Sequence, residues 1–403
     1  IIKEIGNSKY NTDYTRNVKS VSQKIKTLNK GQQKLWGPIC RYLNDYELVG
    51  LIANHTSGYN RAYFKLIELL LNTTIIEKTD FKLLSLAEAP GNFVKCVQNL
   101  RSKFDSNWNN FEIFTKLSDT DLVSQQDFIK EYGNNIFGLK IDDFTGDLTD
   151  ISNIDEYIKI NKGDDNNKAD LITADGGFEK TLDYELEEYE HLPLFLGECI
   201  MAILNQKING IFILKLYDVI DINTVNLLYL LQAFYKNITI IKPYNSRPCN
   251  TEKYIYCEDF IGIPDDNYEK LKSTLYNILE SIKNKKESEY IYFNMFENFT
   301  YNEDFDNNII NFNNSIVLKT QSLYMETVLD ILKVKNYYNK ELIVNYFNNN
   351  STFNLQKIFE NSSEDLGYFI KKIEACIKLC KYMNVSIKPY FIEYYNSIKK
   401  FKA

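Results

Sequence analysis

Two lysines and two carboxylates stand where charge is expensive to keep. Lys215 lies inside Gly210–Tyr217, GIFILKLY, a run that is otherwise apolar or aromatic. Desolvation there lowers a lysine's pKa, and lysines are almost never fully buried without a partner. Asp175 follows the apolar start of Ala169–Phe178, ADLITADGGF, where a strand gives way to a glycine turn. Open α/β sheets bind ligands at the carboxyl ends of their strands, so Asp175 is either a site carboxylate or an ordinary turn residue. Lys65 belongs to Tyr59–Leu71, YNRAYFKLIELLL, one helical turn after Arg61 and on the same side. Two neighbouring cations on a helix call for an anion close by; an exposed edge explains them equally well. Glu252 opens the run EKYIYC. Drawn into one crevice, these four charges would balance one another while excluding water. Such a cluster can hold one lysine near neutrality, ready to take a proton from a hydroxyl.

The elements that must position them are organised around Phe81–Val97, FKLLSLAEAPGNFVKCV. Leu83–Ala87 reads as a buried strand, Glu88-Ala89-Pro90-Gly91 as a tight turn, and from Asn92 the pattern is helical. The dinucleotide glycine fingerprint is incomplete, because Asn92 follows a single glycine. Phe111–Leu117 is a second strand. Within the acidic, turn-rich Gly138–Asp150, Asp147 either accepts bonds from an adenine or ribose edge or is a solvated turn carboxylate. A long helix over Leu182–Ile208, a helix over Asn223–Tyr235 capped by Asp221, a strand over Ile238–Lys242 and the polar loop Tyr244–Asn250 complete the alternation. The expected fold is α/β: a mostly parallel Rossmann-like sheet with helices on both faces. Helices broken at Gly37-Pro38 precede it, and helical patterns at Tyr268–Lys285, Leu323–Lys335, Leu355–Phe359 and Tyr368–Met383 follow it without a catalytic signature. The expected division is an N-terminal helical segment (1–58), a catalytic domain (59–262) and a mainly helical accessory domain (263–403).

Composition narrows the function classes. A net charge of −7 argues against a protein that coats nucleic acid through bulk charge, while leaving room for a local basic groove. Seven scattered cysteines and only two histidines, His55 and His191, offer no zinc spacing, so no metal and reduced thiols are expected. No run of about 18 apolar residues exists, so no membrane span is expected. The 30 Tyr and 25 Phe, with abundant Asn, Ile and Lys, fit an AT-rich genome better than dedicated stacking surfaces.

RAYFKLIEL, AEAPGNF, ADGGF, GIFILKLYD and NSRPCNTEKYIYC occur in that order. Together they resemble the FtsJ/RrmJ-like RNA ribose 2′-O-methyltransferases over about Asn60 to Phe260, and most closely the cap methyltransferases of eukaryotes and large DNA viruses. The resemblance implies a methyltransferase Rossmann fold, S-adenosylmethionine as methyl donor, and a catalytic tetrad of Lys65, Asp175, Lys215 and Glu252. It implies cofactor contacts from Glu88, Ala89, Pro90, Gly91, Asn92, Phe93, Asp147 and Asp175, and RNA contacts from Asn60, Arg61, Ser246 and Arg247. Asn92 departs from the family, many members of which carry a second glycine there, and the usual acidic residue after the second strand is not evident. Lys215, kept neutral by its apolar strand and by Lys65, is the expected general base. The expected activity is cap-specific mRNA 2′-O-methylation of the first transcribed nucleotide, with the capped mRNA 5′ end and other capping or transcription subunits as partners. The alternatives are a ribosomal or transfer RNA 2′-O-methyltransferase, and a non-catalytic RNA-binding subunit of a capping or polyadenylation assembly. The compositional bias points to a viral cytoplasmic enzyme, in a viral factory or virion, with the nucleus left open.

Overall fold

In the computed structural model, residues 8–54, 60–117, 122–139, 141–161, 167–177, 187–285, 293–296, 298–333, 363–389 and 391–392 are described. Their strands are β1 (Leu83–Leu86), β2 (Phe111–Phe114), β3 (Ala169–Ala174), β4 (Gln206–Leu216), β5 (Tyr235–Ile241) and β6 (Lys253–Phe260). The helices used below are α1 (Lys30–Leu43), α2 (Arg61–Leu70), α3 (Asn92–Arg101), α4 (Glu187–Asn205), α5 (Ile222–Gln232), α6 (Tyr268–Lys283), α7 (Glu303–Asn313), α8 (Ile316–Lys333) and α9 (Ser363–Tyr382).

β1, β3 and most of β4 are buried on both faces and largely apolar, as strands covered by helices on each side are. They form one sheet in the order β2-β1-β3-β4-β6-β5. The first three pairings are parallel; β6 then lies antiparallel between β4 and β5. That reversal has a consequence for the site. Lys253 pairs with Leu216 and Tyr254 with Lys215, so the start of β6 meets the end of β4. Leu214 in turn pairs with Ala174, the last residue of β3. Asp175, Lys215 and Glu252, far apart in sequence, are thereby delivered to the same sheet edge. Asp221 caps α5 as expected, its side chain accepting from the Asn223 N–H.

The chain packs as two units, and they do not follow the expected linear division. One comprises Ile1–Thr15, Asn72–Lys242 and Glu252–Asn314; the other comprises Arg16–Leu71, Pro243–Thr251 and Ser315–Ala403. Residue 262 is no packing boundary, because α6 buries Leu275, Leu279 and Ile282, and α7 buries Ile309, in the same core as the sheet. Asp306 on α7 ties this unit further, accepting from the hydroxyls of Tyr10 and Tyr229 at 2.8 Å each and pairing with Lys9. In the helical unit, Ile39 and Cys40 of α1 pack with Val328 and Leu332 of α8. The expected break at Gly37-Pro38 is absent: one helix runs through Pro38. A capping box at Asn29 and Gln32 secures its start, and burial of Pro38, Ile39 and Cys40 offsets an interior proline's cost of about 3 kcal/mol. Cys376 and Cys380, one turn apart on α9, are both buried. The helix expected at Leu355–Phe359 lies outside the described residues. Among the described residues no helix is long and apolar enough to cross a membrane, and no cluster of three metal-type ligands occurs.

Candidate active site

The sheet edge assembles a charged cluster. Lys215 Nζ donates to the Asp175 carbonyl oxygen at 2.7 Å and lies 3.4 Å from Asp175 Oδ1. Tyr254, Lys215's partner across the β4–β6 ladder, donates its hydroxyl to Asp175 Oδ1 at 2.8 Å. Glu252 is buried, and Lys242 Nζ donates to its backbone carbonyl at 2.7 Å, fixing the chain where β6 begins. Sequence patterning did not mark Tyr254 or Tyr217 as site residues; both read as ordinary members of β-type runs.

The expectation of a neutral Lys215 is overturned. Burial does push its proton affinity down, but Asp175, Tyr217, Glu252 and Glu198 push it up and prevail, so the amine is held protonated. An apolar strand is legible in sequence; the balance between its burial and the acidic groups around its end is settled only by the fold.

Glu198 of α4 was also missed, since it sits among apolar residues in a helix that reads as packing. Its side chain is fully buried and its Oε1 accepts from the Gly176 N–H at 3.2 Å. Burial pushes its carboxyl up to about 8, against the opposing pull of Lys215. A carboxyl whose pKa is raised on folding binds its proton more tightly in the native state, so stability falls as pH rises from the unfolded value of about 4.5 toward 8. Glu198→Gln is therefore expected to gain thermal stability relative to the parent as pH goes from 5 to 8.5, read by paired melting curves. Parallel curves at both pH values would refute this.

Both oxygens of Glu88 are engaged within the protein: Oε1 accepts from the Phe93 N–H at 2.8 Å and Oε2 from Ser85 Oγ at 2.7 Å. It is buried, pushed up to about 8 by that burial, and serves the start of α3. Gly91 adopts φ +94°, and a Cβ there would stand 2.7 Å from the Tyr132 ring, so the position requires glycine. Asn92 and Phe93 are buried, whereas Ala89 and Pro90 are exposed beyond the end of β1. Asp147 is held ready as an anion. Lys116 Nζ lies 2.7 Å from Oδ2, and the Thr149 N–H and hydroxyl reach Oδ1 at 2.9 and 2.8 Å. Burial opposes its ionisation, but these bonds outweigh it and the carboxyl stays below the usual range.

The helical unit carries the remaining candidates. Asn60 caps α2, accepting from the Ala62 N–H at 2.8 Å. Arg61 and Arg247 share one counter-ion, Glu47, which sequence reading passed over. Arg247 makes a two-point contact with it at 3.1 and 2.8 Å, and Arg61 Nη1 stands 3.5 Å away. The anion that Arg61 and Lys65 called for is thus present beside Arg61. Ser246 is buried rather than presented at the surface. One turn after Lys65, Glu68 accepts from the backbone N–H groups of Tyr244 and Asn245 at 2.7 and 2.9 Å. The loop 243–251 is thereby anchored to the helix bearing Lys65, itself buried.

Three of the four tetrad candidates, Asp175, Lys215 and Glu252, come together in the sheet unit; Lys65 belongs to the helical unit. Residues 59–260 match the family model described as FtsJ-like methyltransferase. A Drosophila melanogaster protein named cap-specific mRNA (nucleoside-2′-O-)-methyltransferase 2 is 28% identical over 233 residues, 56% of this chain and 32% of that protein. A Caenorhabditis briggsae protein named cap-specific mRNA (nucleoside-2′-O-)-methyltransferase 1A is 28% identical over 202 residues, 49% of this chain and 22% of that one. The chain thus spans about a third or less of the length of these relatives. A ribosomal RNA methyltransferase, putative, from Plasmodium falciparum aligns in structure with a TM-score of 0.35 and 17% identity, covering 51% of this chain and 100% of its own. A score that low supports no conclusion.

Proposed function

This chain belongs to the FtsJ-like methyltransferase family, and from that premise we propose that it methylates the ribose 2′-hydroxyl of the first transcribed nucleotide of capped mRNA. S-adenosylmethionine is the methyl donor of the family, and when bound it supplies an electrophilic methyl on a sulfonium. The residues present suit such a cation. Asp175 and Glu252 outnumber Lys215 at the sheet edge, leaving a surplus of negative charge within the unit. Gly177 is exposed beside them, and a Cβ there would stand 3.3 Å from Lys215 Nζ and 2.8 Å from the Tyr217 hydroxyl, so its absence keeps that space open. Asp175, the exposed backbone of Ala89 and Pro90, and the ionised Asp147 are the groups that would hold the donor.

The observation that carries the reading is the Lys215–Asp175 contact at the carboxyl edge of the sheet. Held as an ammonium, Lys215 donates a hydrogen bond to the ribose oxygen and leaves its second lone pair free for alkylation. An alcohol becomes strongly acidic once its oxygen is being alkylated, so its proton passes readily to a carboxylate, and Asp175 is the one already within 3.4 Å of Nζ. Orientation therefore supplies more of the rate than resting-state proton abstraction. In this reading Arg61 and Arg247 exchange part of their bond to Glu47 for RNA phosphate.

The test uses labelled S-adenosylmethionine with RNAs carrying an unmethylated-ribose cap, an already methylated cap or a free 5′ end. Label is expected only in the first. Equal labelling of uncapped RNA would overturn the cap assignment in favour of another RNA 2′-O-methyltransferase activity, and no labelling of any RNA would leave an RNA-binding role.

A further inference from the structure

The peptide group between Asp175 and Gly176 is held from both ends. Its carbonyl accepts from Lys215 Nζ at 2.7 Å, and its N–H donates to Glu198 Oε1 at 3.2 Å. A peptide is a rigid plane with C=O and N–H on opposite sides. Fixing one end therefore fixes the other, and a rotation that releases Glu198 also turns the carbonyl away from Lys215. The fit around Gly176 is close: a Cβ there would stand 2.3 Å from Glu198 Oε1 and 3.1 Å from the Ala87 Cβ and Leu194 Cδ2.

Glu198 has no evident reason to be there for packing alone. Its neighbours along α4, including Leu194, Phe195, Leu196 and Cys199, are buried and apolar or nearly so. Its second oxygen, Oε2, is buried and makes no hydrogen bond. A carboxyl in such a place costs folding free energy that a leucine would not. What it gains is one bond, and that bond reaches the Gly176 N–H of the peptide whose carbonyl belongs to Asp175.

We infer that Glu198 is a positioning residue for Lys215, acting through the Asp175–Gly176 peptide to aim the amine at the reacting oxygen. The inference rests on the methyltransferase reading of the cluster. The charged or titratable groups facing Lys215 are Asp175 on the turn after β3, Tyr217 beyond β4, Glu252 before β6, and Glu198 and His191 on α4. Asp175, through its carbonyl and carboxylate, is in direct contact with Nζ. Glu198 acts one bond further out, which is why its loss should disturb aim rather than substrate binding.

The experiment compares Glu198→Leu and Glu198→Gln in the full chain. Glu198→Leu removes the acceptor and is expected to lower kcat by about 10- to 100-fold, the scale of a misplacement near 1 Å. KM for RNA and for S-adenosylmethionine should stay within about twofold and the melting temperature should not fall. Glu198→Gln keeps an oxygen for the Gly176 N–H and should restore kcat to within about threefold of the parent. A second readout needs no turnover: in protein labelled with 13Cε-lysine, the Lys215 signal, assigned by its loss in Lys215→Met, should move in the Leu variant and stay in place in the Gln variant. An unmoved signal in Glu198→Leu, or a kcat loss that tracks a fallen melting temperature and is not rescued by Gln, overturns the inference. Failure of the parent protein to methylate any RNA would instead count against the activity, and the lysine signal would still decide the positioning role.

Discussion

Lys215→Ala is expected to lower methyl transfer by roughly 1,000-fold or more while S-adenosylmethionine still binds with nearly unchanged affinity. The amine lies at the meeting point of β3, β4 and β6, with Asp175 and Tyr254 arranged around it. On the proposed activity, removing it would deprive the ribose oxygen of its aligning donor, and positioned groups of this kind are worth about two to four powers of ten, with orientation adding to that. Glu252 and Asp175 would meanwhile remain, so the surplus of negative charge that suits a cationic donor would grow. Single-turnover transfer and calorimetric titration with the cofactor check the two halves separately. Retained turnover would remove Lys215 from the chemistry, and lost cofactor binding would show that its role is structural.

Phe114→Ala should produce the largest loss of stability among single changes near the site, about 3–5 kcal/mol. Phe114 ends β2 and is completely buried, its ring 6.1 Å from that of Phe137, 5.4 Å from Phe144 and 5.9 Å from Tyr157. Truncation opens a cavity in an aromatic nest in which each ring is held by the others, so collapse is restricted. For a unit of this size the melting temperature should drop on the order of 10 °C. The nest also supports Lys116, two residues on, whose amine holds Asp147. Cofactor affinity should therefore weaken in Phe114→Ala even at temperatures where the fold persists. A variant that melts with the parent would show that the nest relaxes freely around the gap, and unchanged cofactor affinity would separate Asp147 from the donor site.

Much of this protein is written locally. Leu83–Leu86, Ala169–Ala174 and the core of β4 are apolar runs bounded by turn residues, and such runs specify buried strands wherever they fall. Gly91 and Asp221 mark a turn and a cap through preferences that act over a few residues. The candidates Asp175, Lys215 and Glu252 were equally legible, because a charge beside an apolar strand is anomalous on its own terms.

Tertiary structure decided whatever depends on partners distant in sequence. The antiparallel insertion of β6 beside β4 brings Glu252 and Tyr254 to Lys215, and no local pattern announces a strand's neighbour. For the same reason the charge state of Lys215 reversed: its strand argues for neutrality, while acidic groups from other segments, Asp175 first among them, hold its proton. Glu88 meets the start of α3 because only the folded turn aims its carboxylate at the Phe93 N–H. Pro38 stayed inside a helix because burial against α8 outweighed a local preference for a break. Glu198, silent in sequence among apolar neighbours, acquired a partner only when α4 was laid across the turn after β3. Short-range preferences fix strands, turns and caps; long-range packing sets the partner, and with it the charge, of each buried polar group.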